Sequence, residues 1–235
     1  MASSIVFVPG FWEGPEVFSS VASTLESLGY AVTIAKLVST GTSSPGNPTF
    51  GDDVRGVRQA IEPLVDAEKE VVLVMHSAGG FIGSNAIKGL SVETRRKEGK
   101  NGGVRKLVFI AAALFPEEMA IPPMPFYEYD GGKLWCKDAQ AVLFSDLPDA
   151  EAKSWLARVQ HQPASGWEEK VTYGGWKEIP SIFLCAEGDA ILPFALQQQM
   201  AGMAGSQIET CSAGHMVMLS QPDKVVEVIK KAAED

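Results

Sequence analysis

Short apolar runs alternate along this chain with stretches whose apolar positions recur every three to four residues. Residues 5–8 are apolar and mostly β-branched, and Pro9-Gly10 ends them in a tight turn. Similar runs at 31–38, 71–75, 107–112, 181–186 and 207–211 predict further strands. The run 71–75 is too short for a helix and wholly apolar, so it predicts a central strand buried on both faces. Between these runs, Val17, Phe18, Val21, Leu25 and Leu28 share one helical face, and Gly29 stops it. Val54, Val57, Ile61 and Val65 predict a second helix over 51–66. Residues 77–90, 193–203 and 222–233 predict three more. The Ser/Thr/Gly/Pro-rich 39–49 and the charged, Gly-rich 91–103 predict solvated loops.

Strands alternating with helices predict an α/β fold, a mostly parallel central sheet with helices on both faces. The rhythm breaks once. Residues 113–178 hold Phe115, Phe126, Tyr127, Tyr129, Trp135, Trp155, Trp167 and Trp176 among several prolines, and are too long for a plain crossover. We expect a core of 1–112 and 179–235, with 113–178 inserted as a cap over the sheet's C-terminal edge. A chain of 235 residues suits this single-domain plan.

The turn after 71–75 carries the chemistry. Met75-His76-Ser77-Ala78-Gly79-Gly80 is a strand end, a sharp turn and a helix start, with a serine at the turn. That placement lifts the hydroxyl above the sheet, and the helix N-terminus favours negative charge beside it. A serine hydroxyl needs a base to take its proton. Of the three histidines, His215 lies in the loop after the last strand, at the same sheet edge as Ser77. We expect His76 to pack or bond beneath the turn and His161 to serve the cap or the surface. Asp189, just past the strand 181–186, is the expected acid that orients His215; Glu187 comes second, and Glu117 and Glu118 third. An oxyanion hole needs two backbone amides. Ala78 supplies one, and Phe11, after the turn glycine Gly10, the other. Trp12 and Trp176 are the expected substrate-lining aromatics. Gly79-Gly80 lacks the lysine of a phosphate-binding loop.

Four segments, in order, resemble the α/β-hydrolase superfamily, in particular its compact branch of plant methyl esterases, hydroxynitrile lyases and small bacterial and fungal hydrolases. They are Val6-Phe7-Val8-Pro9-Gly10-Phe11-Trp12, Met75-His76-Ser77-Ala78-Gly79-Gly80, Asp189-Ala190-Ile191-Leu192-Pro193 and Gly214-His215-Met216-Val217-Met218. Gln162-Pro163 and Trp176-Lys177-Glu178-Ile179-Pro180 also resemble stretches of related hydrolases. Two positions depart. Met75 stands where the family has a small residue, which crowds the turn. Pro9 replaces the first segment's usual histidine.

The resemblance implies a Ser77–His215–Asp189 serine hydrolase acting on an ester, thioester or lactone of a small, largely apolar molecule. The hydroxynitrile lyases in the same branch imply an alternative, a lyase or isomerase using the same groups. A catalytically silent ligand-binding protein is a third reading. A net charge of −9 argues against nucleic acid or an anionic membrane as partner. No metal cluster or dinucleotide fingerprint stands out, so no cofactor is expected. Three scattered cysteines, Cys136, Cys185 and Cys211, fit buried reduced thiols. With no basic n-region before the first apolar run, they point to a cytoplasmic protein. A homodimer stays open.

Overall fold

A computed structural model describes residues 3–234. In chain order the first half contains β1 (Ser4–Val8), α1 (Ser19–Ser27), β2 (Ala31–Ile34), α2 (Phe50–Asp66), β3 (Glu70–His76), α3 (Gly79–Ala86), α4 (Val92–Lys97) and β4 (Gly103–Ile110). Then come β5 (Tyr127–Asp130), β6 (Lys133–Cys136), α5 (Ala139–Leu143), α6 (Asp149–Leu156) and β7 (Gln162–Pro163). The chain closes with β8 (Ser181–Ala186), α7 (Phe194–Met203), β9 (Gln207–Cys211), α8 (Val217–Ser220) and α9 (Pro222–Glu234).

β1, β2, β3, β4, β8 and β9 form one six-stranded sheet in the order β2-β1-β3-β4-β8-β9. Every pairing in it is parallel. α2 and α3 pack together on one face, α1 and α9 on the other. Ile5 to Val8, Val71 to Met75 and Ile182 to Ala186 are wholly buried, which is why these strands are unbroken apolar runs. On α2, Val57, Ile61 and Val65 fall one turn apart on the buried face, and Asp52 reaches back to the Thr49 amide at 2.8 Å to cap it.

The chain leaves β1 for β2 on one side and returns to β3 on the other. The crevice between the carboxyl ends of β1 and β3 is therefore a topological switch point, where open α/β sheets bind ligands. Residues 113–178 depart after β4 and rejoin at β8. They form an antiparallel sheet of β5, β6 and β7, with α5 and α6. This segment touches the carboxyl edge of the main sheet, where Trp12 Nε1 donates to the Leu134 carbonyl (3.0 Å) and the Gly214 amide to Asp146 Oδ2 (2.6 Å).

Several expected boundaries shift. The stretch 91–103 is not a plain solvated loop, because it contains α4. Ser91 Oγ caps that helix by accepting the Thr94 amide, and Arg95 is buried. The Arg95 guanidinium donates to the Val65 carbonyl at the end of α2 and to Asp66 Oδ1, so a charge read as solvation caps a neighbouring helix instead. β2 ends at Ile34 and not at residue 38, α3 starts and stops inside 77–90, β4 begins at Gly103, and the short α8 was not foreseen.

Met75 is fully buried, at the strand end before the Ser77 turn. α3 presents Gly83 to it; a Cβ there would lie 2.7 Å from Met75 Sδ. The bulk of Met75 is thus accommodated by the missing side chain at Gly83. Met75→Ala should cost about 2–5 kcal/mol as a cavity. Gly83→Ala alone should crowd the thioether. Combined, the two changes should compensate, with a coupling of roughly 0.5–3 kcal/mol in a urea-denaturation double-mutant cycle. Strict additivity would show that Gly83 does not make Met75's space.

Candidate active site

β3 delivers Ser77 with φ +49°, a left-handed backbone that a non-glycine residue adopts only when its surroundings impose it. Here the Ser77 carbonyl accepts the amides of Gly80 (3.0 Å) and Ala113 (2.9 Å), and the Ser77 amide donates to Ile110 (3.3 Å). Close approach of the neighbouring backbone completes the turn. A Cβ on Gly79 would meet the Val8 carbonyl at 2.5 Å, and one on Gly10 would meet Ser77 Cβ at 2.7 Å. Both glycines are needed for packing, not for their dihedral freedom.

Ser77 Oγ lies 3.0 Å from His215 Nε2, and His215 Nδ1 lies 2.8 Å from Asp189 Oδ2. The imidazole and the carboxylate are buried, while Ser77 is half-buried and faces the crevice. Asp189 Oδ1 accepts the amides of Ile191 (2.7 Å) and Leu192 (2.9 Å), which fixes the carboxylate plane. Gln197 Nε2 donates to Oδ2 from 3.3 Å. With Nδ1–H directed at the carboxylate, His215 presents the Nε2 lone pair to the serine, the tautomer a general base requires. Glu187 is exposed, and Glu117 pairs with Lys177 at 2.9 Å; Glu118 pairs with Lys170, so none of the three reaches His215.

Phe11, Trp12, Ser77 and Ala78 line one cavity with Phe81, Phe115, Phe126, Tyr127 and Ile191. Among the described residues, no protein acceptor takes the amide of Phe11 or of Ala78. The cavity measures about 30 Å³, room for water but not for an organic substrate. An open groove of about 450 Å³ shares Met124, Phe126 and Ile191 with it, so these side chains border both spaces.

Trp176 lies elsewhere. It sits in the 3-10 turn Gly175–Lys177, outside the cavity lining, with Lys177 Nζ 5.7 Å from its ring centre. Trp12 lines the cavity, but its indole N–H is spent on the Leu134 carbonyl. His161 is held by Ser43 Oγ at 2.9 Å, away from Ser77, and burial together with Lys133 lowers its pKa. The three cysteines are buried and free. Burial pushes the Cys136 thiol up to about 12 and Cys185 to about 11, so neither is a thiolate at neutral pH. Among the described residues, no three His, Cys, Asp or Glu side chains converge to hold a metal.

Several supporting residues escaped the sequence reading. Trp12 has φ +68°, strained for so large a side chain. Its amide donates to Gln162 Oε1 (3.3 Å), Gln162 Nε2 to Ser39 Oγ (2.8 Å), and the Ser39 hydroxyl to the buried Asp53 Oδ2 (2.5 Å). This chain anchors the Phe11 turn to α2 and to the inserted segment. Glu13 and His76 form a second buried pair, with 2.6 Å between Oε1 and Nδ1. An acid beside the apolar turn at Phe11 is the available signal for Glu13, the resemblance of Gln162-Pro163 to related hydrolases is the signal for Gln162, and Gln197 has none.

Residues 5–228 match the model of the alpha/beta hydrolase family. The alpha/beta hydrolase nvfD of Aspergillus novofumigatus is 32% identical over 245 aligned residues, covering 98% of this chain and 96% of that protein. A pyrethroid hydrolase from Sphingobium faniae superposes with a TM-score of 0.72 at 20% identity, covering 100% of this chain and 98% of that one. A methylesterase from Arabidopsis does so with a TM-score of 0.76 at 16% identity, over 99% of each. At such identities the structural likeness is one of fold. The family match over nearly the whole length and the parallel sheet with its serine turn at the switch point agree: the chain belongs to the alpha/beta hydrolase family.

Proposed function

We propose that this protein is a serine hydrolase that cleaves an ester, thioester or lactone of a small, largely apolar molecule. The observation that carries the reading is the unbroken hydrogen-bonded chain from Ser77 Oγ through His215 to Asp189. Ser77 Oγ attacks the substrate carbonyl carbon while its proton passes to His215 Nε2. Asp189 stabilises the imidazolium that results. The carbonyl oxygen takes the negative charge and is held by the Phe11 and Ala78 amides. When the intermediate collapses, the bond to the leaving group breaks, and that group departs with the proton from His215. Water then repeats the sequence on the acyl-Ser77 ester and releases the acid. The aromatic and aliphatic lining favours an apolar acyl or alcohol group. Residues 113–178 act as a cap, opening at Met124 and Phe126 to admit it.

A fluorophosphonate probe tests this directly. It should modify Ser77 and no other residue, as read by peptide mass spectrometry, and the labelled protein should lose turnover of whichever aryl, alkyl or lactone ester it accepts. A folded protein that neither labels nor cleaves any of them would sink the acyl-enzyme route and direct attention to carbon–carbon lyase chemistry on the same base.

A further inference from the structure

The hydrolytic steps leave one buried titratable pair unused, and it lies directly behind them. Glu13 follows the Phe11 turn, and His76 is the last residue of β3. His76 is fully buried and Glu13 nearly so. Glu13 Oε1 accepts the Gly10 amide at 2.6 Å and lies 2.6 Å from His76 Nδ1. On the far side of the ring, Nε2 is 3.0 Å from the backbone carbonyl oxygen of His215. The two imidazole rings are 4.7 Å apart, centre to centre. One pair therefore bonds to both halves of the site: the turn that carries the Phe11 amide and the residue that serves as base.

We propose that Glu13 and His76 are a charged positioning pair, a carboxylate and an imidazolium, that locks the Phe11 turn and the His215 backbone in register around Ser77. Its catalytic consequence rests on the hydrolase reading; its charge state does not. The proton count follows from the partners. A carbonyl oxygen only accepts, so Nε2 must carry a proton. Nδ1 faces an oxygen already accepting the Gly10 N–H. Glu13 Oε2 is buried and takes no hydrogen bond from the described residues, so Oε1 carries both contacts of this carboxyl group. Oε1 can accept the Gly10 N–H whether or not it carries a proton, so the contacts place one proton on Nε2 and a second between Oε1 and Nδ1. We assign the second to Nδ1, which leaves the negative charge on the carboxylate that the Gly10 N–H stabilises.

The charged groups around His76 agree. Burial opposes its charged form, but the Glu13 carboxylate and the bond to it, with the His215 carbonyl and the Asp189 charge, raise its pKa above the usual imidazole value. The other titratable ring facing it is that of His215. Glutamine at 13 could still accept the Gly10 amide, but it could not balance an imidazolium. A neutral His76 has a single N–H and must release either residue 13 or the His215 carbonyl. Releasing the carbonyl frees the base to drift from Ser77, and misplacement of that kind costs rate without costing substrate binding.

The test uses the intact protein with ¹⁵N-labelled histidine. There are three histidines, so the signals lost in His161→Gln and in His76→Gln assign the spectrum. At neutral pH, His76 should carry protons on both ring nitrogens, and in Glu13→Gln on one only. In the same variant, kcat on an accepted ester should fall about tenfold or more with KM near wild type. A singly protonated His76 in the wild type overturns the proposal, and so does wild-type kcat in Glu13→Gln. If that variant does not fold, the wild-type spectrum alone decides. A doubly protonated His76 in a protein that takes no fluorophosphonate supports the pair while removing the hydrolase reading.

Discussion

Ser77→Ala should lower kcat on any accepted ester by roughly 10⁴-fold or more, since removing a nucleophile costs about as much as removing the whole relay it belongs to. Thermal stability should hardly change. The substitution deletes one half-buried hydroxyl whose partner is His215 Nε2, worth about 1 kcal/mol net. The positive φ at this position is no worse for alanine than for serine. The turn itself is held by the Ser77 carbonyl and amide, which stay. Initial rates beside a thermal melt separate the two effects. A folded variant that retains wild-type turnover would end the acyl-enzyme mechanism, whatever the labelling result.

Asp189→Asn should be nearly as damaging, with kcat down about 10⁴-fold, for a reason that geometry makes specific. One carboxylate oxygen accepts two backbone amides, from Ile191 and Leu192, and an asparagine must keep its carbonyl there. Its NH₂ then faces both His215 Nδ1 and Gln197 Nε2. A donor opposite Nδ1 drives His215 to the tautomer with the proton on Nε2, and that tautomer cannot accept the proton of Ser77. KM should move little, because Asp189 does not line the cavity. The pre-steady-state rate of Ser77 acylation by an activated ester is the cleanest readout. Acylation as fast as wild type would mean that His215 does not need Asp189.

Much of the fold was legible because β1, β3 and β8 are short apolar runs and helices such as α2 and α9 have one apolar stripe. Where polar residues do structural work, the pattern misled. The charged 91–103 hides α4 because Arg95 is buried against the end of α2, and side-chain type alone does not reveal a satisfied guanidinium. The site was legible in part for the same reason that the strands were. Ser77, Asp189 and His215 each follow a strand, and strand ends of a parallel sheet share one edge. Trp176 stands near the end of the inserted segment, and that place does not fix which way a segment outside the sheet turns.

What the sequence by itself determined was the order of buried strands and covering helices, and with it the edge on which the serine, acid and histidine loops must meet. A run of apolar residues has no stable place except between two layers, so local pattern dictates element and layer. Only the tertiary structure decided which polar atoms touch. His215 and Ser77 are 138 residues apart, and Glu13 and His76 are 63 apart. Contacts at such separations depend on strand register and on packing, such as the space Gly83 leaves for Met75. Hydrogen bonds change from made to lost within about half an ångström, a precision no local pattern encodes.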